Sequence, residues 1–139
     1  MSKAFWLGVA AYVLPTFPLG YLWHLAVFAP QYGALQIYRP DVIIPFGLLS
    51  MIIQGMILSW IYPKLMRTGP DTPWLRDGLL FGLMAGLFAW SLSTIAVAAK
   101  NVMTSVPLYL ALETGFTVLQ YVIVGPLMAL AHQHCAKAG

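Results

Sequence analysis

Hydrophobic positions fall in four long runs, separated by short polar or turn-forming segments. The first extends from Ala4 to Ala29, interrupted by Pro15, Thr16, Pro18 and His24. The others run from about Val42 to Tyr62, Trp74 to Ala99 and Val106 to Ala131. An α-helix needs roughly 20 apolar residues to cross a bilayer, and each run supplies them. None shows the alternation of a membrane barrel strand. The chain therefore reads as one integral membrane domain over residues 1–139, an all-α membrane protein. Its expected form is a four-transmembrane-helix bundle of two antiparallel hairpins. Pro15 and Pro18 predict a kink in the first helix, because each lacks an N–H and crowds the preceding turn. Pro107 falls in the first turn of the fourth helix, where proline is tolerated. Gln31–Asp41 reads as a polar connection, and Thr68–Pro73, rich in proline and glycine, as the one true loop.

Lys3 before the first run, with Val27-Phe28-Ala29 at its end, raises the possibility of a signal peptide. The run is longer than the 7–15 residues of a signal core, and Pro30 would follow the cut, so the expectation is a retained helix.

Composition sharpens this picture. Of 139 residues, 60% are hydrophobic and 8% charged, and the mean hydropathy is +0.81. A soluble domain carries roughly 25% charged residues. A soluble enzyme, a separate extramembrane domain, a disordered regulator and a nucleic-acid reader are thereby excluded. The single Cys135 permits no intramolecular disulfide and excludes redox chemistry on paired thiols. The net charge of +3 serves orientation. If both termini share one side, that side collects Lys3, Lys64, Arg67, Arg76 and Lys137, against Arg39 and Lys100 opposite. The asymmetry predicts cytoplasmic termini in the cell's inner (plasma) membrane, with Gln31–Asp41 and Lys100–Ser105 outside. Trp6, Trp60, Tyr62 and Trp74 then read as interfacial aromatics at the cytoplasmic ends, and Tyr32 and Tyr38 at the other.

Polar groups at membrane depth are costly, about 2.5–3.5 kcal/mol for a central Asp, Lys or Arg on insertion scales. At 1.5 Å per residue, His24 lies about 7–8 Å below the outer boundary and Glu113 about 10 Å. Gln54 and Gln120 share a deeper level near the midplane. Tyr109, Glu113, Thr117 and Gln120 form one helical stripe; Gly47, Ser50 and Gln54 stack on the second helix. Ser91, Ser93 and Thr94 serve the same outer half. These residues should face inward, since lipid offers no partners. One reading is a polar pocket in the outer half, holding an ion, a proton or a small ligand. The other is that His24, Glu113 and the amides satisfy one another and fix helix packing. A His24–Glu113 pair would be pH-sensitive, although His24 could also simply reach water.

Gly78, Gly82 and Gly86 recur every fourth residue, a pattern that lets another backbone approach. His132-Gln133-His134-Cys135 places its histidines about 200° apart on a helix, poor geometry for one metal ion, and reads as a frayed, solvated end. A haem between His24 and His132 is excluded because the two lie near opposite faces. Asp71 and Asp77 read as ordinary interfacial charges. No metal site is expected, and no cofactor is named by these residues.

Gly20-Tyr21-Leu22-Trp23-His24, followed by Phe28 and Tyr32, resembles the aromatic signature of small four-helix bacterial inner-membrane proteins of unassigned activity, which also carry a carboxylate in the last helix, here Glu113. The resemblance implies topology and no activity. Small multidrug transporters keep their glutamate in helix one, where this chain has His24. Membrane glutathione-transferase relatives carry Arg- and Asn-rich motifs absent here. The leading expectation is a non-enzymatic membrane protein, either an accessory or assembly component or a small-ligand-binding bundle. It would be partnered by the bilayer and by a second copy or a membrane complex. A proton- or cation-coupled transporter acting as an oligomer, and a membrane enzyme on a lipid or quinone with His24 and Glu113 as acid and base, are the alternatives.

Overall fold

The computed structural model describes residues 2–137. It is 83% helical without strands, and four of its helical stretches are long and apolar enough to cross a membrane. Helix α1 (Lys3–Tyr21) is capped by Ser2, whose Oγ accepts the Phe5 N–H, and passes into a π-helical turn, Leu22–Val27. A short α2 (Ala29–Leu35) follows, then α3 (Ile44–Leu65). Helix α4 (Trp74–Trp90) widens into a second π turn, Ser91–Ile95, and resumes as α5 (Ala96–Lys100). Helix α6 (Val106–Lys137) closes the described chain. Ser105 Oγ accepts the Leu108 N–H at its start.

Three boundaries differ from the sequence reading. The Gln31–Asp41 connection is partly helical, because Pro30 fits the first turn of α2 and Tyr32 and Leu35 bury against α6. Gln36, left-handed at φ 56°, ends that helix. The helix also runs through Pro15 and Pro18. Its face Tyr12, Thr16 and Gly20 is buried, and this packing holds α1 together despite the two missing N–H donors. The departure from α geometry comes later, at Leu22–Val27, where the Phe28 N–H bonds Trp23 O five residues back. Finally, the C-terminal tract is not frayed. His132 is buried, stacks on Tyr62 and meets Ser59 Oγ at 3.3 Å, while Gln133 donates to the carbonyls of Pro70 and Thr72.

Helix α6 packs between α1 and α4, and α1 between α6 and α3; α3 and α4 scarcely touch. Contacts descend along one helix as they climb the next. Ascending α1, Gly8, Tyr12 and Gly20 lie against Ser59, Gly55 and Met51 of α3, so the pair is antiparallel. The α4–α6 contact uses the expected glycines. A Cβ on Gly78 would stand 2.6 Å from Pro126 Cα, one on Gly82 would strike the Tyr121 carbonyl, and one on Gly86 would stand 3.1 Å from the Tyr121 ring. Leu14, Phe46, Leu83 and Phe88 are each 68–72% exposed. That is the surface of a protein whose solvent on these faces is hydrocarbon.

Two supposed surface groups lie inside. Tyr62 is fully buried edge-on to Phe81, leaving Trp6 and Trp60 as the exposed aromatics at that end. Asp77 is buried with Oδ2 3.5 Å from Arg67 Nε, where the sequence suggested an ordinary solvated charge; Asp71 is exposed as expected. Close packing of α4 on α6 beside Gly78 encloses the carboxylate.

Candidate functional site

The polar residues of the spans gather at three levels. At the level of α2, three donors converge on one oxygen, Glu113 Oε1. The Tyr32 hydroxyl lies at 2.8 Å, the Tyr38 hydroxyl at 3.1 Å and His24 Nε2 at 3.3 Å. The His24 ring sits 4.7 Å from Tyr32 and 4.6 Å, edge-on, from Phe116. Its other nitrogen, Nδ1, is 3.0 Å from Gly20 O. A carbonyl only accepts, so Nδ1 carries hydrogen. Nε2 then faces Oε1 at 3.3 Å, where one shared proton would join them. With that proton present, on either atom, the pair carries no net charge. The phenols of Tyr32 and Tyr38 are held above the usual tyrosine range, first by burial and next by the adjacent Glu113 charge. Much of Tyr38 is exposed, but its hydroxyl reaches inward.

Both π turns border this level. Phe28 N–H bonds Trp23 O across the first, and Ala96 N–H bonds Ser91 O across the second. The wider turns shift side-chain register and leave carbonyls for side chains to use. Gly20 O, just before the first turn, takes His24 Nδ1, and Ser93 O, inside the second, takes the Tyr109 hydroxyl at 2.9 Å.

The second level is a relay across three helices. The Tyr12 hydroxyl donates to Gln54 Oε1 and accepts from Gln120 Nε2 at 3.0 Å; Gln54 Nε2 donates to Ser50 Oγ at 2.9 Å. Gln120 also reaches Thr16 Oγ1 at 3.4 Å. The third level, near the other end, joins Ser59, His132 and Tyr62. Ser59 gives its proton to Phe5 O at 2.8 Å, so His132 Nε2 is the donor to Ser59.

The expected stripe on α6 is thus divided. Glu113 and Gln120 face α1. Tyr109 is turned to the α4 π turn, and Thr117 lines an apolar groove against α4 instead of the Glu113 site. Ser50 and Gln54 touch the relay but are exposed on α3 rather than enclosed, because α4 does not cover that face. Ser91 and Ser93 bond carbonyls of their own helix, and Thr94 Oγ1 is buried without a partner. Gly78, Gly82 and Gly86 belong to helix packing. Among the described residues no cluster of His, Cys, Asp or Glu could hold a metal ion.

Sequence reasoning missed the roles of Tyr12, Thr16, Tyr32, Tyr38 and Arg39. One signal was present: Tyr12, Thr16, Gly20 and His24 recur every fourth residue, a stripe on α1 matching the one on α6.

Beside the Glu113 network lies a cleft of about 880 Å³. Helices α1 and α3 touch closely as far as Gly20 and Met51, then part; a Cβ on Gly47 would meet nothing within 4 Å. Phe17, Met51 and Phe116 line its apolar depth, with His24, Tyr32 and Tyr38 along one wall and Arg39 at the rim. The volume is that of a site for a lipid- or drug-sized molecule.

These features define an all-helical, multi-pass membrane protein with a mostly apolar cleft beside a hydrogen-bonded acid–imidazole pair. No family model matches the chain, and neither a curated protein nor a solved structure does.

Proposed function

We propose that this chain is a non-enzymatic inner-membrane protein that binds a small, largely apolar ligand in the cleft between α1 and α3. In this reading it is a bundle of two antiparallel hairpins with cytoplasmic termini, and the cleft occupies the outer half. The charge asymmetry supports the orientation. The observation that carries the binding function is the cleft itself. Its 880 Å³ are kept open where a well-packed helix pair would close, and a wall of fixed hydrogen bonds borders it. The network supports a positioning role for Glu113. Its three donors lock His24, Tyr32 and Tyr38 in place and so fix the shape of the cleft. An enzyme using His24 as acid or base would need Nε2 to exchange its Glu113 contact for substrate.

The test is a structure of the protein in lipid nanodiscs. The reading expects non-protein density between α1 and α3 above Met51 and Gly20. A structure with α3 closed onto α1 along its whole length, and no such density, refutes it.

A further inference from the structure

Polar groups are unevenly placed in the cleft, and their placement specifies a ligand. The deep end at Gly20, Met51 and Phe116 is apolar. Along the wall, the protons of His24, Tyr32 and Tyr38 are already given to Glu113 and Gly20, so this wall offers carbon and lone pairs to a ligand. The available N–H groups are at the rim. Arg39 bonds Asp41 through Nε and Nη2, both at 3.1 Å, with side chains 56% and 76% exposed. Exposed pairs of this kind contribute about 0–1 kcal/mol, so an incoming anion displaces Asp41 easily. Arg39 also lies on the connection between two spans, where the phosphates of a leaflet are found. Beyond Gly47 the two helices stand apart, giving a chain a way in from the bilayer.

Resting on the ligand-binding reading above, we infer that the ligand is an anionic phospholipid. One acyl chain fills the apolar depth between α1 and α3, and the phosphate meets Arg39. A zwitterionic lipid fits the depth equally but forgoes much of the gain at the rim.

Native mass spectrometry of the detergent-purified protein tests this with phosphatidylglycerol and phosphatidylcholine of identical acyl chains. Wild type should retain one phosphatidylglycerol with a preference of up to about fivefold, the effect of one basic residue at a lipid surface less the cost of displacing Asp41. Arg39→Gln should lower phosphatidylglycerol to the phosphatidylcholine level without abolishing either. Gly47→Phe, whose side chain has room, should fold normally by circular dichroism and lose both. Equal binding of the two lipids by wild type overturns the inference, as does unchanged lipid retention by Gly47→Phe. If neither lipid binds while nanodisc density persists in the cleft, the lipid assignment fails and the broader reading stands. A closed, empty cleft ends both.

Discussion

Replacing Glu113 tests whether three convergent hydrogen bonds hold the first π turn, α2 and the connection after it against α6. Glu113→Leu removes the acceptor for Tyr32, Tyr38 and His24 at once. At ~0.6 kcal/mol for each interhelical bond, the loss begins near 2 kcal/mol. Burial raises it. Tyr32 is 5% exposed, and its orphaned hydroxyl adds about 1–3 kcal/mol, whereas Tyr38 and His24 are open enough to find water. The expected destabilisation is about 3–5 kcal/mol. Glu113→Gln behaves differently. Its carbonyl can accept from the phenols, or its amide can donate to a neutral His24 Nε2, but a single orientation cannot serve both well. One mismatch should cost about 1–2 kcal/mol. Unfolding in mixed micelles, or steric trapping in a bilayer, should therefore rank wild type above Gln above Leu. The double variant His24→Phe/Glu113→Leu should be less destabilised than the sum of its singles. Leu equal to wild type, or strict additivity in the double variant, would show that the contact contributes nothing to the fold.

Gly82→Leu should prevent folding or assembly, because its side chain meets the Tyr121 backbone, while Leu83→Ile on the exposed face should shift stability by under about 0.5 kcal/mol; detergent chromatography separates the two. Raised phenol pKa values at Tyr32 and Tyr38 stabilise the fold below the unfolded value of about 10. This contribution should decline as pH rises past that value, when the unfolded phenols release protons that the folded ones keep. Tyr32→Phe should flatten the alkaline slope of stability; an unchanged slope contradicts the assignment. His132→Ala should cost about 1–3 kcal/mol through the lost Tyr62 stack and Ser59 contact, whereas His134→Ala, on an exposed residue, should be neutral by thermal unfolding. Reporter fusions after Lys137 should be active only as cytoplasmic reporters, and periplasmic activity reverses the proposed orientation.

The spans were legible because length and apolarity alone decide which segments can cross a membrane, and Ile44–Leu65 needs no further information. Matching depths brought His24 toward Glu113 and Gln54 toward Gln120 because helical rise is constant. Side-chain direction was harder. Neither π turn leaves a clear mark in the residues, yet the first sets the register of His24 and the second presents Ser93 O to Tyr109. Tyr32 looked like an interfacial tyrosine, since an unpredicted helix, α2, folds it back over Glu113. His132 looked terminal until Ser59 and Tyr62, far away in sequence, enclosed it. In each case the deciding partner lay on another element, where periodicity carries no information.

A proton shared between His24 and Glu113 would have an electrical consequence. A proton passing between Nε2 and Oε1 leaves the net charge of the pair unchanged. A transmembrane potential thus exerts no net force on the pair as a whole, whichever atom holds the proton. A lone ionised group carried across the full field would change in energy by about 2.3 kcal/mol per 100 mV. Glu113→Gln with a protonated His24 would turn this voltage-indifferent unit into a single charge inside the field. With the shared proton in place, the wall of the cleft would keep its shape whether the membrane is energised or depolarised.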